Sequence, residues 1–216
     1  MPLFPSDAFT LRTTVGAGLW VVLLMPLAQA GTMVYLAYLI QALLAAGPTL
    51  AGLMNATLAL AWSAVAILVA DRAGARRARL LIRLGPLLLL LGFALLWIAF
   101  PLGSGWLVVV AQLLLGAGFG ASWAFLSQAI MEAARPGERD RAAGLVPTVQ
   151  SAGYALGAAL AGLVVNGAGL ATDPAGAVPW LLGTCAVFAL LAAGASLKVM
   201  PSNPLPPGEG ASKASG

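Results

Sequence analysis

Residues 13–70 read TTVGAGLWVVLLMPLAQAGTMVYLAYLIQALLAAGPTLAGLMNATLALAWSAVAILVA, 58 positions without one Asp, Glu, Lys, Arg or His. A helix that crosses a bilayer uses about 20 apolar residues, so this run holds more than one crossing. Gly47-Pro48 divides it, because glycine suits a helix C-terminus and proline cannot continue a helix. Uncharged runs also cover 84–131, 142–172 and 174–197, and the first of these breaks at Pro101-Leu102-Gly103-Ser104-Gly105. The pattern predicts an all-α membrane protein with six transmembrane helices near 14–43, 49–70, 81–100, 105–132, 143–168 and 178–198. The first is long enough to tilt, or to kink at Pro26. Around the six-helix domain, 14–198, lie a lead-in, 1–13, and a Pro/Gly/Ser-rich tail, 199–216, expected to be disordered. The lead-in carries Phe4, Phe9 and Leu11 for the interface and no basic n-region, so a cleavable signal peptide is not expected.

The composition agrees and closes off several chemistries. Hydrophobic residues make up 61% of the chain and charged ones 8%, against about 45–50% and about 25% in soluble domains. The absence of histidine excludes Ser-His triads, zincin-type sites and histidine relays. One cysteine, Cys185, excludes intrachain disulfides, cysteine zinc sites and iron–sulfur clusters. There is no Gly-x-Ser-x-Gly pattern either. The expectation is a protein that is not an enzyme and carries no cofactor or metal.

Charge then orients the helices. Arg12 precedes the first span. Arg72, Arg76, Arg77, Arg79 and Arg83 fall between the second and third, and Arg135, Arg139 and Arg141 between the fourth and fifth. Lys198 and Lys213 follow the sixth, which completes the 11 basic residues, all on one face. By the positive-inside rule both termini are expected in the cytoplasm, with the protein in a bacterial cytoplasmic (inner) membrane. The net charge of +4 is therefore a topology signal and not a nucleic-acid footprint. Trp97, Trp106 and Trp180 lie near the opposite helix ends and read as an interfacial belt.

Between the second and third spans the chain reads Ala70-Asp71-Arg72-Ala73-Gly74-Ala75-Arg76-Arg77. This loop resembles the signature loop of the major facilitator superfamily, with Asp71, Arg72, Gly74, Arg76 and Arg77 matching and Ile67 standing where a small residue is common. The loop from Arg135 to Leu145, with Arg139, Arg141 and Gly144, is similar to the family's link between its tenth and eleventh helices. The lead-in Leu3-Phe4-Pro5 resembles the end of the linker between the family's two halves. The resemblance implies the C-terminal six-helix half of such a transporter, folded as two inverted three-helix repeats. It also implies a gating role for the Asp71 loop and a substrate cavity lined by the first and fourth helices.

Polar residues are distributed accordingly. The third and sixth spans carry almost none and read as lipid-facing scaffold. The first has Gln29, Thr32, Tyr35, Tyr38 and Gln41, while the fourth has Gln112, Ser122, Trp123, Ser127 and Gln128. Gln112, Gly116, Phe119, Trp123 and Ser127 share one helical stripe, as do Asn55 and Trp62 on the second span. Gln29, Tyr35, Gln112 and Trp123 are the cavity candidates, with hydrogen-bonded helix packing as the structural alternative. Gly116/Gly120, Gly153/Gly157 and Ala158/Gly162 are small-x-x-x-small pairs that permit close helix approach.

The function so implied is alternating-access movement of a small solute, amphipathic or drug-like, in the export direction. The alternative is a non-transporting fragment or accessory subunit of a split or truncated transporter. The expected partners are the lipid bilayer, a small-molecule substrate and a second six-helix half, either a separate N-terminal half or a second copy in a homodimer. In such a homodimer Val69 of one copy is expected near Val146 of the other.

Overall fold

The computed structural model describes residues 9–71, 74–135 and 137–201. The Leu3-Phe4-Pro5 lead-in, Arg72 and the tail beyond Pro201, with Lys213, lie outside the described residues. Six helices follow one another: α1 (Thr14–Leu44), α2 (Pro48–Val69), α3 (Ala75–Ala99), α4 (Gly105–Ala133), α5 (Arg139–Gly167) and α6 (Pro174–Ser196). No strand occurs among the described residues, and all six helices are long and apolar enough to cross a membrane. This is an integral membrane protein.

Local chemistry sets the boundaries. Thr13 caps α1 by accepting from the Gly16 amide at 3.2 Å, and Ser104 caps α4 by accepting from the Leu107 amide at 3.4 Å. α2 starts on Pro48, where the missing amide costs nothing. Three helices begin earlier than hydropathy predicts: α3 at Ala75 instead of 81, α5 at Arg139 instead of 143, and α6 at Pro174 instead of 178. Hydropathy marks where a helix enters apolar surroundings, whereas arginine propagates a helix well outside them. For α6 the start is specified by Asp173, whose carboxylate accepts from the Gly176 amide at 2.9 Å, followed by Pro174. α1 runs unbroken through Pro26.

The helices pack reciprocally. α1, first of its triplet, packs on α5 and α6; α4, first of the other, packs on α2 and α3. α3 and α6 pack on each other, and α1 meets α4 at the centre. That exchange is the signature of two inverted three-helix repeats. The α1 and α4 contact runs antiparallel, with Gly18 against Ile130 and Leu126, and Ser122 Oγ donating to Met25 Sδ at 3.9 Å. α3 and α6 are two-sided. Ile82, Leu89, Phe93 and Leu96 of α3 are buried, while Leu80, Leu84, Leu87 and Leu91 form an exposed stripe on its outer face.

Two glycine grooves bring backbones together. A Cβ on Gly116 or Gly120 would strike the carbonyl oxygens of Leu58 or Trp62, so α4 seats the backbone of α2. A Cβ on Gly153 or Gly157 would strike those of Leu23 or Leu27, so α5 seats α1. Both pairs run parallel, as the inverted symmetry requires. Two of the three small-residue pairs read from the sequence are therefore packing devices.

Candidate functional site

The stripe on α4 faces α2. Gln112 is only 1% exposed, and its Nε2 donates to Asn55 Oδ1 at 2.9 Å and to the Asn55 carbonyl at 3.3 Å. Two turns further on, Trp62 stacks on Phe119 with ring centroids 4.9 Å apart at 19°. Trp123 closes the cluster at 5.8 Å from Phe119 and 6.3 Å from Trp62. These contacts explain why two tryptophans lie deep in the membrane, away from the belt. A signal for this pairing stands in the sequence: Asn55 and Trp62 are seven apart, and so are Gln112 and Phe119. Two matching intervals on parallel helices predict two rungs.

The four cavity candidates divide in two. Gln29 and Gln112 are buried, and the Oε1 atom of each has no hydrogen-bond partner. Tyr35 and Trp123 are half-buried at the edges of the bundle. The Tyr35 hydroxyl lies 3.3 Å from where a Cβ on Gly162 of α5 would stand. Beside Tyr35, α1 presents a continuous exposed strip of Met33, Val34, Tyr38 and Gln41 in the half of the helix away from the arginines. On α4 the exposed positions Ala124, Gln128 and Met131 lie towards the arginine-bearing end, where Gln128 Nε2 donates to Glu132 Oε1 at 2.7 Å. So α1 opens at one end of the bundle and α4 at the other. Of this strip, Met33 and Val34 are missed by a search for polar residues. Only the packing of neighbours shows which apolar positions are left open.

The loop candidates gather at the arginine-bearing end. Asp71 is exposed just past α2. Gly74 has φ 113°, a conformation open to glycine, and forms the turn into α3. Arg76 and Arg77 follow in the first turn of α3, both exposed. The second loop is shorter than expected, because Arg139, Arg141 and Gly144 stand in the first turns of α5: Arg139 opens the helix with Asp140 beside it, Arg141 is half-buried, and the exposed Gly144 carbonyl accepts from Thr148 Oγ1 at 3.0 Å. Val146, expected to meet a partner copy, is 7% exposed and turned into this chain. Its neighbours Pro147 and Thr148 occupy the outer face instead. Among the described residues no group of His, Cys, Asp and Glu could hold a metal ion.

Comparison with known proteins gives a consistent picture. The profile of the family described as Major Facilitator Superfamily matches residues 18–215. A "probable multidrug-efflux transporter" of Mycobacterium tuberculosis, found in two strains, is 33% identical over 151 residues, which is 68% of this chain. The aligned part is 31% of that relative's length.

Proposed function

The chain belongs to the major facilitator superfamily, and from that premise we propose that its six helices form one wall of a solute pathway that works by alternating access. The cargo is a small amphipathic molecule and the direction is export. The opposite wall comes from a second six-helix unit, whichever chain carries it. The membrane is the bacterial cytoplasmic membrane, with the arginine-bearing end inside.

The observation that carries this reading is the open face of α1. Membrane helices that only pack bury their amides and aromatic hydroxyls, as Gln112 does against Asn55. Tyr38 and Gln41 are instead exposed on the membrane-length helix α1, beside half-buried Tyr35. Polar groups left to hydrocarbon are costly, so this strip faces a solvated path or an opposing wall. Tyr35 and Trp123 are the best-placed residues to touch cargo. Gln29 and Gln112 are buried within the bundle, reachable only if the helices part during the transport cycle. No Asp, Glu, Lys or Arg lies in the middle of any span, which suits cargo bound by aromatic and amide contacts. The efflux description of the mycobacterial relative points the same way. In this reading the Asp71 turn and the first turns of α5, Arg139–Gly144, act as the gate at the inner face.

The test is dye efflux. The gene is expressed with its flanking DNA in a bacterium lacking its own pumps, and loss of a preloaded amphipathic dye is timed. Tyr35→Ala and Trp123→Ala should slow efflux severalfold at unchanged protein level, whereas Leu163→Ala, on the outside of α5, should not. Efflux no faster than in cells without the gene would favour an accessory or non-transporting role.

A further inference from the structure

α3 begins in an unusual electrostatic setting. Its N-cap is Gly74, which offers no side chain to its free amides, and no acid lies in its first turn. That turn carries Arg76 and Arg77, followed by Arg79 and Arg83. Cations are disfavoured at the positive end of a helix, and more so in a group. A topology signal alone requires these charges near the membrane, not gathered around one cavity. Yet Arg76, Arg77, Arg79 and Arg83 line one cavity of about 590 Å³. The Nε atoms of Arg79 and Arg83 are buried without a hydrogen-bond partner. Arg83 is held in place by its Nη2, which donates to the Leu197 carbonyl at the end of α6 at 3.2 Å.

We propose that this cavity binds the phosphate of an anionic phospholipid. A phosphodiester supplies what the arrangement lacks: acceptor oxygens for four clustered guanidinium groups and negative charge at an uncapped helix start. Basic pockets between membrane helices at the headgroup level hold anionic lipids on the same principle. The apolar surface next to the arginines separates a lipid from a free anion. Leu80, itself in the wall of the cavity, starts the exposed stripe that continues through Leu84, Leu87 and Leu91. The spacing keeps these residues on one face of α3. Leu91 also lines a second groove, about 560 Å³, between α3 and α6, walled by Trp97 and Leu182. A headgroup in the first cavity therefore has an acyl path leading from it towards the far interface.

The experiment uses the purified full chain in detergent micelles doped with phosphatidylglycerol or phosphatidylcholine, with retained lipid counted by native mass spectrometry. Phosphatidylglycerol should stay bound where phosphatidylcholine is stripped. Arg76→Gln/Arg79→Gln should weaken retention ~10-fold or more, as expected for lost charge-assisted bonds. Arg12→Gln/Arg139→Gln removes two charges at the same end and should change it little. If the Arg79 variant does not fold, Arg76→Gln/Arg77→Gln alters only exposed side chains of the same cavity and should still weaken retention severalfold. Equal retention of the two lipids, or equal loss in the Arg12/Arg139 variant, would overturn the proposal. So would inorganic phosphate that displaces the lipid at equal concentration, since that would make the site one for a soluble anion.

Discussion

Replacing Gln112 by leucine asks whether the amide pair between α2 and α4 holds the bundle together. The side chain is 1% exposed and gives two hydrogen bonds to Asn55, at 2.9 and 3.3 Å, from Nε2 alone. Its Oε1 is buried and unpartnered. An interhelical hydrogen bond in a membrane contributes about 0.6 kcal/mol, with ~1.7 as the upper end. A buried polar atom without a partner costs about 1–3 kcal/mol. Leucine gives up the bonds and also the orphaned oxygen, at similar volume, so the two changes largely cancel. The expected result for Gln112→Leu is a stability within about 1 kcal/mol of the parent, on the stabilised side if either. Asn55→Ala has the opposite sign. It deletes the 2.9 Å bond and leaves the whole Gln112 amide buried with one weak contact, costing about 1–2 kcal/mol. The assay is equilibrium unfolding in mixed micelles, read through Cys185, which is 3% exposed and reacts with a thiol dye only when the bundle opens. A loss above ~2 kcal/mol in Gln112→Leu beside a neutral Asn55→Ala would refute the reasoning. The amide oxygen would then have a partner that the packing does not show.

Gly120→Ala should cost about 1–3 kcal/mol, because its Cβ would stand 2.5 Å from the Trp62 carbonyl oxygen, which is backbone and cannot turn away. Gly144→Ala, with open space around it and a helical backbone, should stabilise by up to ~1 kcal/mol in the same unfolding assay. Asp173→Ala removes the α6 cap and should lower stability by about 1 kcal/mol, with Asp173→Asn retaining most of it. In a protein lacking Cys185, cysteines at Gly103 and Ala175 should react with membrane-impermeant reagents added to intact cells. Those at Ala75 and Gly137 should react only after lysis, and the reverse pattern would invert the topology.

The count and order of the helices were legible because each span is bounded by charge or by Gly-Pro punctuation, both of which act locally. The starts of α3 and α5 were misplaced because the arginines there belong to the helix and not to the membrane, and hydropathy registers only the second property. The cap at Asp173-Pro174 was present in the sequence and was overshadowed by the apolar run behind it. The site was less legible for a different reason. Gln112 and Tyr35 are both polar residues on central helices, and nothing in either helix tells which neighbour covers it. Gln112 is taken up by Asn55 of α2, whereas Tyr35 lies at the open edge against α5. Exposure of Met33 and Val34 is likewise a property of where α5 and α2 end up.

The exchange of partners between the triplets has a consequence for biogenesis. α1 leaves the ribosome before α5, yet the groove that seats it, at Gly153 and Gly157, lies on α5. At about 5–20 residues per second, the wait between the end of α1 at Leu44 and the start of α5 at Arg139 is roughly 5–20 seconds. During that interval the face of α1 around Leu23 and Leu27 has no permanent neighbour and must be sheltered by the insertion machinery or by a provisional contact with the helices made before α5. The first triplet is thus a repeat in the architecture without being an autonomous folding unit. A ribosome stalled after α3 would leave an orphan for quality-control proteases to remove, and a gene broken between α3 and α4 would yield two pieces that each lack the partners of their own first helix.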